Sequence, residues 1–529
     1  MQAYKLLILT GLFLVPAVAG AGLFDDAVSG GAEVTSPNTA TANGDSNTPE
    51  KSTADIPPSV SSPLKFDLNG YVRGDMFVGK MPEYSRAEIK NGYGELALKV
   101  LASKGSYGSA FGDVRFKGGY LKDGHYLGQP SDNDPADEDN GKAGASVQLR
   151  EAYVNMYFKH LELRLGHQIV LWGRADGINP TNNITPIDMR VRSPEEDDRR
   201  LANTGLVAKL NLSPVTIEGV WMPVYNASIM PQVVIADALL FDRPDYPDFD
   251  LANGLFAGKV DFAFSAFEFS LSYLNGYALT PGIAYVRNNF SDSYFDNMYD
   301  NAARPKTVTL ARSAYRHQVI GFDFETTLKS IGLRGEVAFR YPEKQKADDA
   351  QRVHIPNPDL YYVLGADKEF GNLMVVAQYI GRYTLNYDKR PRIYDADMED
   401  TLNNGDGDID LNNLDNAGTD VNDDLVAYAA NRELAKTNAM IHGQTQEVQH
   451  GVSLRLSYSL LHDTLSLVTF AMANLSTREI VVYPKIQYKV TDAMTLTAGA
   501  ELYFGPDDTL FGLIDETLSA GYTELKISF

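Results

Sequence analysis

The stretch Glu151-Ala152-Tyr153-Val154-Asn155-Met156-Tyr157-Phe158, then Lys159-His160, then Leu161-Glu162-Leu163-Arg164-Leu165, decides the fold. Ala152, Val154, Met156 and Phe158 fall on one face, and Glu151, Tyr153, Asn155 and Tyr157 on the other, the period of two of a half-buried strand. Past the two-residue corner, Leu161, Leu163, Leu165, Ile169 and Leu171 share a face opposed by Glu162, Arg164 and Gln168. Residues 148–180 therefore read as two paired strands followed by a polar loop. A soluble sandwich alternates in the same way, so the class depends on how often the unit recurs and how its copies are joined.

The unit recurs through the rest of the chain. Phe66, Leu68, Val72, Met76 and Val78 oppose Asp67, Asn69, Tyr71, Arg73 and Asp75; Val114, Phe116 and Tyr120 oppose Asp113, Arg115 and Lys117. The same alternation returns near 203–212, 214–225, 254–265, 267–277, 315–328, 331–341, 359–369, 371–386, 447–460, 463–475, 478–490, 493–504 and 518–529. The count is about eighteen strands, an even number as single-chain bacterial outer-membrane barrels require. Connectors alternate between a few residues (104–106, 159–160, 213–214, 265–266, 329–330, 370–371, 462–463, 491–492) and long polar runs (123–145, 174–202, 226–253, 278–314, 387–446). Short periplasmic turns and long outer loops are the asymmetry of this class. The fold class is thus all-β, a transmembrane antiparallel barrel over residues 66–529, with 387–446 a large acidic extracellular insertion.

Charges on one face of nearly every strand fit that architecture. Spanning strands must close so that lipid meets no unpaired backbone, and Arg or Lys on the lipid face costs roughly 2–4 kcal/mol at mid-depth. The charges therefore face inward, where Arg73, Arg115, Glu151, Glu162, Arg164, Arg334, Glu336 and Arg382 are candidate pore-lining groups. In the 174–202 loop, Arg190, Arg192, Arg199 and Arg200 stand among Asp176, Asp188, Glu195, Glu196, Asp197 and Asp198. If that loop folds into the lumen, it forms a constriction with a transverse field; if not, it is a solvated outer loop with paired surface charges. A closed interior filled by cross-strand pairs is the other reading of the strand charges. His167 falls on the lipid face against the pattern, which marks either a bulge or an interfacial position near Trp172.

Composition agrees. Gly (44), Tyr (30) and Phe (24) are plentiful in a chain of 529 residues that is only 44% hydrophobic, a mixture suited to many strands edged by aromatics. The absence of cysteine excludes disulfides, Cys-ligated zinc and thiol chemistry. A net charge of -22 argues against a nucleic-acid partner. Lys5 followed by the apolar run 6–18 and Ala17-Val18-Ala19 reads as a signal peptide over residues 1–19. Residues 20–65, rich in Ser, Thr, Asn, Gly and Pro without apolar period, read as a flexible periplasmic leader. That leader is too short to be a folded plug domain of a nutrient receptor.

The last strand carries a resemblance. Leu525, Ile527 and Phe529 alternate with Glu524, Lys526 and Ser528, which is similar to the terminal strand that Gram-negative outer-membrane proteins present to their assembly machinery. Gln168 to Trp172-Gly173, Asp176, Asn179-Pro180 and Asp197-Asp198-Arg199-Arg200 resemble uncharacterised proteobacterial barrel proteins related in architecture to alginate-export channels. These likenesses imply a barrel in the outer membrane of a Gram-negative bacterium. Its expected partners are lipid, lipopolysaccharide, the barrel-assembly machinery through Phe529, and a small-molecule solute. They name neither the solute nor the oligomeric state.

In the acidic insertion, the run 404–413 resembles the calcium loop of EF-hand and dockerin modules, with Asn404, Asp406, Asp410 and Asn413 as candidate ligands and Asp408 through its carbonyl. Leu402 stands where the first ligand belongs and Asn413 where a bidentate acid belongs, so a solvated acidic loop is the competing reading and no other cofactor is expected. The run 425–440 reads as one short helix on top of the barrel. No nucleophile elbow, metalloprotease helix or phosphate-binding glycine loop occurs. Three functions follow: a porin-like channel for small solutes, an export or assembly conduit docking partners through the leader, or a barrel enzyme whose site assembles from distant strand ends.

Overall fold

A computed structural model describes residues 64–80, 87–121, 143–230, 239–289, 307–343, 352–387, 423–507 and 509–529. The expected signal peptide, the expected leader up to residue 63, and the candidate ligands Asn404, Asp406, Asp408, Asp410 and Asn413 lie outside the described residues.

Period-two alternation produces strands wherever it occurs. In chain order they are β1 (Leu64–Lys80), β2 (Ala87–Lys104), β3 (Gly108–Leu121), β4 (Ala143–Tyr157), β5 (Leu161–Gln168), β6 (Asn203–Leu212), β7 (Val215–Met222), β8 (Leu239–Phe241), β9 (Leu255–Ala263), β10 (Phe267–Tyr277) and β11 (Gly282–Asn288). They continue as β12 (Val308–Ser313), β13 (Arg316–Leu328), β14 (Ile331–Pro342), β15 (Asp359–Phe370), β16 (Leu373–Thr384), β17 (Val448–Leu460), β18 (Leu465–Asn474), β19 (Glu479–Lys489), β20 (Met494–Phe504) and β21 (Ala520–Ser528). Leaving out β8, β11 and β12, each strand pairs antiparallel with the next, and β1 pairs with both β2 and β21, so eighteen strands close into a barrel. At the seam Arg73 faces Lys526, and Gly70 and Phe529 exchange two backbone hydrogen bonds of 3.0 Å.

The barrel is apolar outside and charged inside. Val72, Val154, Leu271, Ile320, Leu364, Leu454 and Ile527 stand exposed on the outer face, whereas Arg73, Asp75, Glu95, Asp323 and Glu336 are buried within. A continuous apolar outer surface of this kind is far larger than a water-soluble protein carries, and closure leaves no strand edge unpaired, as hydrocarbon demands. Among the described residues no helix is long and apolar enough to cross a membrane; the strands do the crossing.

Three departures from the sequence pattern matter. First, β5 stops at Gln168, not at Leu171: the Ile169 N–H donates to Glu151 and the Val170 N–H to Thr185 Oγ1, at 2.9 and 3.0 Å, so the chain leaves the ladder and turns into the lumen. Trp172 is consequently buried inside, away from any membrane interface, while His167 keeps its outward position and meets Thr204 Oγ1 at 3.0 Å. Second, one connection on the long-loop side, residues 475–478, is short, because the Asn474 carboxamide accepts from the Ser476 and Thr477 N–H groups and tightens the turn. Third, the long connectors carry structure of their own. Strand β12 pairs with β11 and β8 in a separate three-stranded sheet.

The helix expected near 425–440 is α1 (Asp423–Ile441), whose Val426, Ala430, Leu434 and Ile441 recur at helical spacing and pack on Leu239, Ile283, Val308 and Leu310 of that sheet. Asn438 holds the Ile283 N–H and C=O at 2.7 and 2.8 Å, standing in for a missing strand partner. A second helix, α2 (Leu510–Leu518), is capped by Thr509 and turns inward, burying Leu510, Phe511 and Ile514 against Tyr361, Phe470, Val481 and Tyr503 of the wall.

Leu364 lies midway along β15 on the outer face, so Leu364→Arg should lower stability by roughly 2–4 kcal/mol in urea unfolding from lipid vesicles. Leu364→Ile should leave it unchanged. Equal midpoints for the arginine variant and the natural chain would mean that this face does not meet hydrocarbon.

Candidate functional site

The segment 169–202 is threaded through the barrel and tied to its wall on several sides. Val170, Trp172 and Ile184 bury against Val207, Val220, Met222, Leu255, Leu274 and Val319, and the Trp172 indole N–H donates to Glu218 at 3.1 Å. The chain then wraps the inward carboxylate of Glu336 on β14. That group accepts from the Arg174, Ala175 and Thr181 backbone N–H groups at 2.5, 2.6 and 3.3 Å and from the Thr181 hydroxyl at 2.9 Å. Gly173 makes the approach possible: its φ is +108°, and a Cβ there would sit 2.6 Å from Glu336 Oε1.

Two reciprocal charge nests hold the rest. On β9, β10 and β13 the wall supplies acids and the segment supplies a cation: Arg174 reaches Asp323 and Glu268 at 2.7 Å, Asp261 at 3.6 Å and Glu325 at 3.7 Å. On β1 and β3 the wall supplies cations that its own acids already partner, Arg73 by Glu95 at 2.9 Å and by Asp75 and Glu524 at 3.5 Å and Arg115 by Asp113 at 3.4 Å, and the segment adds one more acid: Asp198 meets Arg73 and Arg115 at 2.6 Å each and accepts from Ser193 Oγ at 2.6 Å. Arg150 donates to the Asp198 and Arg200 carbonyls at 3.4 and 3.1 Å, and Lys117 pairs with Glu95 at 3.0 Å. Round the ring β1 and β13 stand nine strands apart in eighteen, so the nests occupy opposite walls. Asp176 adds a pair with Arg455 of β17 at 2.8 Å, and Arg192 and Arg199 share Glu501 of β20 at 3.1 and 3.2 Å.

Burial opposes the charge of Asp198, but the guanidiniums of Arg73, Arg115 and Arg150 and the Lys117 ammonium outweigh it and hold the carboxyl well below the usual carboxylate range. Glu196 goes the other way. It borders a cavity of about 50 Å³ with Phe470, Tyr483 and Tyr522, and burial pushes its carboxyl up to about 8 against the pull of Arg455, Lys485 and Arg199.

The structure puts the candidate pore-lining residues in two different settings. Arg73, Arg115 and Glu336 face inward but are covered by the inserted segment, and Glu151 is spent on the Ile169 N–H. Arg382, fully buried, donates to the His442 and Gly443 carbonyls and lies 4.4 Å from the Tyr361 ring centre, so it holds the turn after α1 instead of lining an open path. Arg190 closes on Asp188 at 2.9 Å and Arg200 on Asp197 at 2.9 Å, both within the segment. Glu162 and Arg164, 3.9 Å apart, remain partly open, with Arg164 4.7 Å from the Tyr153 ring centre; Arg334 pairs with Asp367 at 2.6 Å.

Sequence reasoning missed Arg150 for a definite reason. Opposite Asp113 and Val114 the register passes from Glu151 to Leu149, so Arg150 is the extra residue of a β-bulge and points inward beside Glu151. Parity assigns neighbours to opposite faces and cannot reveal this. Glu501 and Asp323 were accessible by parity, but their partners Arg192, Arg199 and Arg174 are distant in sequence.

These features define a closed eighteen-stranded transmembrane barrel with an inserted segment across its lumen. The model of a family described as "Protein of unknown function (DUF1302)" matches residues 3–234. No curated protein matches the chain. Among solved structures it is similar to OccAB3 of Acinetobacter baumannii, with TM-score 0.48 and 11% identity over 88% of this chain and 99% of that one. It is also similar to OccK9 (OpdG) of Pseudomonas aeruginosa, at 0.46 and 10% over 88% and 97%, and to a BenF-like porin from Pseudomonas fluorescens Pf-5, at 0.43 and 11% over 88% and 98%. At such identity no substrate passes from one barrel to another.

Asp198→Asn removes the charge the segment offers Arg73 and Arg115, a loss of roughly 1.5–3 kcal/mol, because Glu95, Asp75, Asp113 and Glu524 still partner the two arginines. Limited proteolysis of the folded variant should cut within 169–202 while circular dichroism keeps the strand signal; full protection would show that the other ties suffice. For Glu196 the ordinary value is 4.5, so between about 4.5 and 8 the folded chain keeps a proton that the unfolded chain has lost, and this residue's contribution to stability falls as pH rises through that window. Above it a negative charge appears in the lumen. Cation preference in bilayer recordings should therefore rise as pH passes about 8, and Glu196→Gln should flatten the rise. An identical profile in the variant would assign the titration elsewhere.

Proposed function

We propose that the protein is a channel for small hydrophilic solutes in the outer membrane of a Gram-negative bacterium, with the segment 169–202 as its constriction. The observation that carries this reading is the pair of reciprocal charge nests on opposite walls. They fix a charged segment across a lumen, which is how a wide barrel becomes a narrow, polarised passage.

Below the segment, toward the short turns, the lumen carries charges that are still open to water. Lys99 and Lys209 keep about two-fifths of their side-chain surface, at 39% and 40%, and Glu268 and Glu325 nearly half, at 48% and 47%. They leave open cations on β2 and β6 and open acids on β10 and β13, with Arg164 and Glu162 balancing each other on β5. A solute crossing this vestibule meets a field directed from one wall to the other. The outer face is set in lipid and lipopolysaccharide, the long-loop end of the barrel faces outward, and the strand ending at Phe529 is offered to the assembly machinery.

Planar-bilayer recording on the purified chain tests the reading. Stable single-channel steps are expected, and removal of 174–199 should enlarge them several-fold. Replacing Lys209 and Arg164 by Gln should shift the reversal potential toward cations. Folded barrels that insert and stay silent, with and without the segment, would end the channel interpretation.

A further inference from the structure

The closure that hydrocarbon demands stops at Gly70, where Phe529 ends its strand and the two residues exchange backbone hydrogen bonds of 3.0 Å. Strand β1 begins earlier, at Leu64, so residues 64–69 run past the end of β21. They have β2 on one side and no strand among the described residues on the other. In an antiparallel ladder alternate residues turn their N–H and C=O to the same side. Gly70 turns its groups to Phe529, so Leu68 and Phe66 present theirs in the same direction, beyond the chain's end. The stretch stands in water at the short-turn end, the periplasmic side in barrels of this class. Leu64, Phe66 and Leu68 are 53%, 65% and 63% exposed on one face. Lys65, Asp67 and Asn69 on the other face are exposed as well, whereas Arg73 and Asp75 further along are buried.

A bare edge of this kind pairs with an extended segment, main-chain bonds giving the affinity and alternate side chains the selectivity. The slot continues the line of β21, so an incoming segment runs antiparallel to β1 with its amino-terminal end toward the Phe529 carboxylate. Its first residue stands opposite Asn69, its second opposite Leu68, its third opposite Asp67, its fourth opposite Phe66 and its fifth opposite Lys65. Opposite charges facing each other stabilise a strand pair, and like charges destabilise it. Among the described residues neither Lys65 nor Asp67 enters an ion pair. The segment that fits is therefore basic at its amino-terminal end and third residue, apolar at its second and fourth, and acidic at its fifth. Two other occupants fit less well. A second copy in the same membrane keeps its strands running the same way up, so two β1 edges cannot meet antiparallel. A return by the residues before Leu64 through a hairpin loop of about two to five residues sets Pro57 or Pro58 opposite Leu64, Phe66 or Leu68, where the ladder needs an N–H that proline lacks.

We infer that the free edge of β1 is a docking site for an extended segment of a periplasmic protein, basic at its amino-terminal end and acidic beyond, which adds to the wall as a strand in line with β21. The inference goes beyond the channel reading and does not depend on conduction. The test uses the full chain in detergent micelles and a dye-labelled hexapeptide, Lys-Val-Lys-Val-Glu-Val with a free amino terminus, read by fluorescence anisotropy. Saturable binding is expected. It should be about tenfold tighter than that of the charge-reversed Glu-Val-Glu-Val-Lys-Val, or of the first peptide N-methylated at its second and fourth residues. Leu68→Pro removes a free N–H and no bond to β2, so it should weaken binding by a similar factor while heat-modifiable migration shows the barrel intact. Should that variant fail to fold, Lys65→Glu combined with Asp67→Lys decides, because it should exchange the preference between the two charged peptides. No binding would overturn the inference, as would equal binding of the N-methylated or the charge-reversed peptide. Binding that appears only after residues 20–63 are deleted would also overturn it, since the chain's own preceding segment would then fill the edge.

Discussion

Asp198 among Arg73, Arg115, Lys117 and Arg150 is the interaction on which the interior depends. The four cations are gathered on neighbouring strands together with the wall's own Asp75, Glu95, Asp113 and Glu524, and Asp198 ties that buried network to the inserted segment. On the opposite wall the segment supplies the cation, with Arg174 among Asp261, Glu268, Asp323 and Glu325. Each wall therefore holds one end of the same segment through its own set of ion pairs. Turning the segment round would carry Asp198 to the wall of Asp261, Glu268, Asp323 and Glu325, where like charges would meet.

Between those two ends the segment is held by means that do not depend on charge balance. Glu336 is surrounded by backbone N–H groups, and the Trp172 cluster is apolar. Salt weakens ion pairs that water can reach and scarcely touches buried ones. The side chains of Asp198 and Asp323 are almost wholly buried, while Glu268 and Glu325 on the rim of the acidic nest are half exposed. The cation-rich nest is thus the firmer anchor and the acid-rich nest the more responsive one.

The strand pattern was open to reading because a spanning strand must satisfy hydrocarbon on one side and water or charge on the other, a constraint that writes itself into every second residue. Val72 against Arg73, Val154 against Asn155 and Ile527 against Lys526 are instances. What the chain does between strands answers to no such local rule. Ile169, Val170 and Leu171 are as apolar as any strand end, and only the N–H acceptors Glu151 and Thr185 divert them inward. The bulge at Arg150, the sheet of β8, β11 and β12 and the inward turn of α2 likewise depend on partners distant in sequence. The charged run 195–200 announced that the loop mattered; which wall each charge would find was not written there.

The seam of the barrel carries a consequence in time. The two strands that meet there, β1 and β21, are separated by nearly the whole described chain, and Gly70 and Phe529 close the ladder with a reciprocal pair of bonds. Every other wall contact can form as a hairpin between consecutive strands before the last strand is in place. This one cannot. Until the final strand arrives, β1 offers a bare edge of donors and acceptors, and such an edge invites pairing with any other strand nearby. The last step of assembly is therefore also the one that ends the chain's exposure to aggregation, and a delay there would be more dangerous than a delay anywhere earlier.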